Sequence, residues 1–302
     1  MQAAFCCIVV ILLSVLAGQD GQDDEKTSVS QTPRCYEGFD YLPAEGVLLG
    51  RSGGEGFEGA WIPAGFNARN PEAYRIIPGS LAASGLPPGT SHVRTEASPT
   101  IERQFPFEGF PGTITYQPIK GIGRRLADPI EADETTTLYI AALLRPEQAV
   151  GEDLFGGYVG FYLDGTGNND LFVGVGGTNQ PNYCLENRGG DGQVISEHIA
   201  EAGRTDLLVV KAEFRPGPDV FTLYVNPDPR APEPLSGTVK RDLDLGRVDQ
   251  LVLYSTGAFS IDEFRIVDSF SALADYPSPD ELQQIRRLRE ETNHKDQGDD
   301  CR

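Results

Sequence analysis

The segment Asp164-Gly165-Thr166-Gly167-Asn168-Asn169-Asp170 sets an oxygen-bearing side chain at every second position. Asp164, Thr166, Asn168 and Asp170 are hard donors of the kind calcium takes, roughly six to eight at a time, and the intervening glycines ease tight curvature. The loop is shorter than an EF-hand loop and lacks its terminal Glu. Because Gly, Asn and Asp are also the ordinary residues of a hairpin turn, a plain turn is the competing reading. A second chemistry is the stacking of an exposed ring on the apolar face of a sugar, beside hydrogen-bonding groups. Tyr183 with Asn182, in the polar stretch Asn179-Gln180-Pro181-Asn182-Tyr183, suits that role.

Other chemistries find little support. His92, His198 and His294 are the three histidines and none is near another, so zinc held by His and Cys is not expected. No Gly-x-Ser-x-Gly surrounds a serine, and His198, in Ile195-Ser196-Glu197-His198-Ile199, reads as an exposed strand or loop position. Gly53-Gly54-Glu55-Gly56 precedes no helix and no Lys-Ser/Thr pair, so it reads as a turn between strands and not as a phosphate cradle.

The elements that must position these residues are strands. In 302 residues there are 35 Gly and 22 Pro, a turn-dense composition, and 39 % apolar content is too high for a disordered chain. A net charge of −20 repels phosphate backbones and anionic lipid, so neither a nucleic-acid partner nor a polybasic membrane contact is expected. Thr137 to Leu144 reads as a buried strand, and Tyr158 to Leu163 with Leu171 to Val175 as a hairpin around the oxygen-rich loop. In Asp206 to Phe214, Leu208, Val210, Ala212 and Phe214 share one face while Lys211 and Glu213 take the other. Arg215-Pro216-Gly217-Pro218 then turns the chain into Asp219 to Val225, an antiparallel hairpin. Val248 to Tyr254 and Phe259 to Val267 read as another hairpin, with a bulge near Asp262-Glu263 because Ile261 and Phe264 fall on opposite faces. Those two carboxylates read as surface or sheet-edge groups. The one helix expected begins at Ser278-Pro279, with Leu282, Ile285 and Leu288 as its apolar stripe.

Residues Phe5 to Ala17 are almost wholly apolar but too short to span a bilayer, and Val15-Leu16-Ala17 suits signal peptidase, although no Lys or Arg precedes the run. The expected organisation is a signal peptide over 1–18, a polar leader over 19–34, one β domain over 35–276, and a helix with polar tail over 277–302. Gln19 stands where a lipoprotein would carry Cys, so the mature chain is expected to be secreted or periplasmic, with no membrane insertion once the signal is removed. Cys6 and Cys7 leave with the signal. Cys35, Cys184 and Cys301 allow at most one disulfide and one free thiol.

Phe39-Asp40-Tyr41, and then Leu48-Leu49-Gly50-Arg51-Ser52-Gly53-Gly54-Glu55-Gly56-Phe57-Glu58-Gly59-Ala60-Trp61, resemble the opening of concanavalin A-like, laminin-G-like jelly-roll domains of bacterial secreted proteins. Val159 to Val175 resembles the glycine-rich central strands of that group, Val209 to Pro227 its hairpin, and Ile261-Asp262-Glu263-Phe264-Arg265-Ile266 its closing strand. The resemblance covers roughly 36 to 270. It implies an all-β, two-sheet antiparallel jelly-roll sandwich with Trp61 in the core, and adds calcium by analogy. It implies neighbouring first and last strands, hence a Cys35–Cys301 disulfide. Laminarinase-type members carry Glu-x-Asp-x-x-Glu; the nearest approach is Glu131-Ala132-Asp133-Glu134-Thr135-Thr136, with Thr136 in place of the second Glu. The function expected is therefore non-catalytic recognition or adhesion, with an extracellular glycan as partner. A glycosidase with carboxylates from separate strands is the alternative, and a structural module without a small ligand is a third. Two close carboxylates on a sheet face would favour the enzyme; aromatics and amides alone would favour the binder.

Overall fold

The computed structural model describes residues 33–42, 45–65, 67–83, 86, 89–104, 113–131, 135–149, 157–165, 169–177, 180–187 and 192–274. The expected signal peptide, most of the leader, and the helix from Ser278 lie outside the described residues. The first nine strands are β1 (Cys35–Glu37), β2 (Gly46–Val47), β3 (Phe57–Pro63), β4 (Arg75–Pro78), β5 (Ser91–Thr95), β6 (Ile101–Gln104), β7 (Thr113–Tyr116), β8 (Lys120–Glu131) and β9 (Thr136–Pro146). Nine more follow: β10 (Tyr158–Gly165), β11 (Leu171–Gly176), β12 (Asn182–Asn187), β13 (Val194–Ile199), β14 (Asp206–Phe214), β15 (Val220–Val225), β16 (Thr238–Lys240), β17 (Arg247–Ser255) and β18 (Phe259–Val267).

Two antiparallel sheets face each other. One has nine strands in the order β16-β15-β14-β9-β18-β5-β4-β2, with β1 also paired to β18; the other has seven, in the order β13-β12-β11-β10-β17-β8-β3. The fold is an all-β sandwich. Alternation explains it: Leu208, Val210, Ala212 and Phe214 of β14 enter the shared core, as do Val159, Phe161 and Leu163 of β10. Val210 sits between Ile140 of β9 and Leu223 of β15. Trp61 is fully buried, and its Nε1 donates to the Tyr41 hydroxyl at 2.9 Å.

The expected hairpin of Val248–Tyr254 with Phe259–Val267 does not form. β17 lies between β10 and β8 in the seven-stranded sheet, and β18 lies between β9 and β5 in the other. Long-range pairing takes both edges of each strand within its own sheet, so the short turn between them serves as a corner from one sheet to the other. The corner between them is fastened instead: the Thr256 and Gly257 N–H groups both donate to the Tyr158 carbonyl, at 2.9 and 3.0 Å. Lys120 Nζ donates to the Thr256 and Gly257 carbonyls at 3.3 and 3.2 Å and to that of Glu96.

The bulge in β18 is present, with a register shift between Asp262 and Arg265 and Glu263 at φ 53°. Asp262 and Glu263 are not surface groups, however; both are buried in this central strand. The bulge turns them into anchoring positions. Asp262 Oδ2 accepts from Ser80 Oγ at 2.7 Å and from the Leu81 N–H at 2.9 Å. Glu263 accepts from Tyr36 OH at 3.2 Å and pairs with Arg265. A further buried pair joins β1 to the opposite sheet, Arg124 Nη1 to Glu37 Oε2 at 2.7 Å.

The outer face of the nine-stranded sheet is covered. Leu81, Phe270, Ala272 and Leu273 pack over Tyr139, Leu143, Leu207 and Tyr224. The aromatic residues of the other sheet's outer face form a separate cluster.

Candidate functional site on the seven-stranded sheet

With Val159, Phe161 and Leu163 turned inward, period-2 alternation turns Tyr158 and Tyr162 outward. Register carries this across the sheet. Tyr162 pairs with Phe172 and Phe172 with Glu186, while Gly160 is flanked by Tyr254 on one side and by Gly174 and then Cys184 on the other. Four rings therefore meet on one face. Tyr158 lies 5.7 Å from Phe172 and 6.4 Å from Tyr254, and Tyr162 lies 5.4 Å from Tyr254, all edge-on. Tyr162 and Phe172 are buried, whereas Tyr158 and Tyr254 stay half-exposed. Half-buried Asn182 and Gln250 add amides to the same face.

Glycines make the room. A Cβ on Gly160 would stand 2.2 Å from the Val173 carbonyl and 3.0 Å from the Phe172 ring. A Cβ on Gly176 would meet Gln193 Nε2 at 2.4 Å and Glu186 Oε2 at 2.7 Å. In the space so left, Gln193 Nε2 donates to Glu186 Oε2 at 2.7 Å. Glu186 is 2 % exposed, and burial pushes its carboxyl up to about 7, against the opposing pull of Gln193, Tyr158 and Lys240. The face thus offers two accessible rings and amides, over a buried carboxyl that burial holds above the usual carboxylate range. None of the groups that set the ionisation of Glu186 is a second carboxylate.

The sequence-predicted residues are placed elsewhere in part. Tyr183 is not a surface ring: it is fully buried on β12, donates to Asp206 Oδ2 at 2.9 Å, and stacks on His198 at 6.1 Å. The reason is phase, because β12 starts at Asn182 and so turns the next residue inward. Asn182 Nδ2 donates to the Ser196 carbonyl at 3.0 Å, tying β12 to β13. His198 is half-buried, its Nε2 2.9 Å from Arg204 Nη2.

In the oxygen-rich loop, Asp164 is half-buried and Asp170 buried, and Asp170 Oδ1 accepts the Gly165 N–H at 3.1 Å, as a turn-closing Asp does. Thr166 and Asn168 lie outside the described residues, and among the described residues no group of three or more His, Cys, Asp or Glu is placed to hold a metal. Cys35 is a buried thiol whose Sγ donates to the Gly56 carbonyl at 3.3 Å; burial pushes it up to about 12. Cys301 lies outside the described residues. Glu131 is exposed and paired with Arg247, with Asp133 and Glu134 outside the described residues.

Sequence reasoning missed Tyr158, Tyr254, Glu186 and Gln193. A signal for the first two was available: beyond Phe172, the glycines at 174 and 176 in Leu171–Gly176 leave that face of β11 bare, which is where neighbouring side chains can lie. Glu186 had no such signal, since its burial depends on Gln193 arriving from the approach to β13.

No family model matches the chain, and no curated protein is similar to it. Solved structures of similar chain path include an endo-1,3-β-glucanase from Streptomyces sioyaensis, at 9 % identity and TM-score 0.44, over 84 % of this chain and 98 % of that one. Domain 4 of an extracellular arabinanase from Geobacillus stearothermophilus, in complex with arabinotriose, matches at 15 % identity and TM-score 0.41, over 81 % and 98 %. Lectin I from Ulex europaeus, in complex with the methyl glycoside of α-L-fucose, matches at 8 % and 0.33, over 57 % and 87 %. Likeness at this level carries nothing about function; the chain is like these proteins in being a two-sheet β-sandwich.

Proposed function

We propose that the chain is an extracellular sugar-recognition module of the concanavalin A-like kind, binding an oligosaccharide on the outer face of its seven-stranded sheet. The observation that carries this is the composition of that face: half-exposed Tyr158 and Tyr254 rings, the amides of Asn182, Gln193 and Gln250, and one carboxyl, Glu186. A ring edge and flat face suit the C–H surface of a pyranose, and amides suit its hydroxyls. Glu186 then orders Gln193 and touches no sugar. The apolar N-terminal run supports export. Calcium belongs to this reading at Asp164, Thr166, Asn168 and Asp170, where it would stiffen the rim beside Tyr162. A glycan array with and without calcium, followed by calorimetry on Tyr254→Ala, tests the reading; absence of any glycan ligand would overturn it.

The near-neutral carboxyl of Glu186 favours a second reading, a glycosidase with Glu186 as proton donor. Such an enzyme needs a second carboxylate about 5–9.5 Å away. Release of reducing sugar from laminarin or arabinan, abolished by Glu186→Gln, would establish it.

A further inference from the structure

The surroundings of Gly176, on the outer face of the seven-stranded sheet, are one-sided in hydrogen bonding. Tyr158 pairs with Gly176 from β10, and the register that sets Val175 against Tyr183 runs on to set Asn182 beside it on β12. A Cβ at this glycine would meet Gln193 Nε2 at 2.4 Å, Glu186 Oε2 at 2.7 Å and Cys184 Sγ at 3.0 Å. An amide, a carboxyl and a thiol therefore converge where the side chain is missing.

The two amides have no freedom of orientation. Gln193 Nε2 donates to Glu186 Oε2 at 2.7 Å and to Cys184 Sγ at 3.6 Å, which uses both of its hydrogens. Its Oε1 is thereby turned away from the carboxyl. Asn182 meets the Ser196 carbonyl at 3.0 Å; that group only accepts, so Nδ2 points to it and Oδ1 points away. Both residues are half-buried, no described residue donates to either oxygen, and neither oxygen is buried without a partner. Both oxygens therefore reach solvent. The Tyr158 hydroxyl is spent as well, because it hydrogen-bonds the Glu186 carboxyl.

The charge is one-sided in the same sense. Glu186 lies just beneath these acceptors. Lys240 is the cation that acts on it, but Lys240 is fully buried, donates to the Gly192 carbonyl and pairs with Asp242 at 2.8 Å. Its charge is already matched.

We infer that the sugar taken by this face carries a free amine, as a 2-amino-2-deoxy oligosaccharide whose ammonium donates to the acceptors around Gly176 above the Glu186 carboxylate. This rests on the sugar reading and narrows its ligand. A neutral hydroxyl can donate to the same oxygens, but an ammonium makes the stronger, charge-assisted bond. It also feels the carboxylate beneath without touching it, since a field through protein is weakly screened. In return, the ammonium holds Glu186 ionised, and an ionised Glu186 holds Gln193 with Oε1 outward. The half-exposed Tyr158 and Tyr254 rings attract a cation at their faces, and a chain charge of −20 steers one toward the surface.

The test uses three β-1,4-linked tetrasaccharides that differ at C2 alone, built of glucosamine, N-acetylglucosamine or glucose, each titrated calorimetrically into the full chain near neutral pH. The glucosamine tetramer should bind about tenfold or more tighter than the other two, with a lead that shrinks as salt is added. Tyr254→Ala should weaken it. Glu186→Gln should cut the lead to about threefold or less, and Gln193→Met, an independent variant, should do the same. Equal affinity for all three sugars, still weakened by Tyr254→Ala, would overturn the amine and leave the sugar site standing. Glucosamine binding unchanged in Tyr254→Ala would be attraction to net charge alone and would overturn recognition at this face. Binding of no tetramer would overturn the inference, and an empty glycan array beside it would remove the sugar reading too.

Discussion

Gln193 and Glu186 stand 2.7 Å apart, amide nitrogen to carboxyl oxygen, over the bare Cα of Gly176. This contact fixes the amide at the edge of the aromatic face and favours the ionised carboxyl, against a burial that pushes it up to about 7. Because the folded state holds this proton more tightly than the unfolded chain, the contribution of Glu186 to stability is full at acid pH. It is lost as pH rises from about 4.5 to about 7, by on the order of 3 kcal/mol. Glu186→Gln removes that dependence. The variant should melt close to wild type at pH 4.5 and above it at pH 8; an identical pH profile for the two proteins would refute the assignment.

Breaking the Glu37–Arg124 pair should be costly. Both side chains are buried, and Arg124→Ala leaves the Glu37 carboxylate among Tyr41 and the Phe39 N–H with no cation, at a cost of about 3–5 kcal/mol. Glu37→Gln combined with Arg124→Met should recover most of that loss in urea denaturation. Equal losses in the single and double variants would show that the ion pair is not what holds β1.

Val210→Asp sets a carboxylate between Ile140 and Leu223 with no polar partner. The variant should lose about 4 kcal/mol or more and accumulate as insoluble protein. A soluble variant with the wild-type far-ultraviolet spectrum would place Val210 outside the shared core.

Strand pairs joined by local turns were legible in the sequence. Leu208 to Phe214 alternates cleanly and is followed by a proline-glycine turn, so both strands and their pairing follow from residues close together in the chain. The bulge at Asp262-Glu263 was legible for the same reason, as a phase break between Ile261 and Phe264. The partner of β17 was not, because a short turn at Ser255 to Ala258 serves equally for a hairpin or for a corner between sheets. Long-range register decides that choice, and register with β8 and β10 is invisible locally. Tyr183 failed because the stretch read as a polar loop is where β12 begins, which turns its ring inward, and Glu186 through a burial that distant residues impose.

Calcium in the Asp164–Asp170 loop should bind the folded state alone and raise Tm with the logarithm of its concentration above Kd. Excess chelator should lower Tm, and Asp164→Ala with Asp170→Ala should remove the response without unfolding the chain. A melting curve indifferent to chelator, for protein purified with calcium, would leave the Gly165–Asp170 bond as the loop's whole role.

The account stands most directly on whether a sugar docks against Tyr254. Calorimetric titration of the best array ligand into wild type, Tyr254→Ala and Tyr254→Phe measures this. The aromatic face predicts saturable binding by wild type, a loss of about 1–2 kcal/mol in Tyr254→Ala, and near-complete retention in Tyr254→Phe, which keeps the ring. Equal affinity in all three proteins would contradict a sugar site on this sheet.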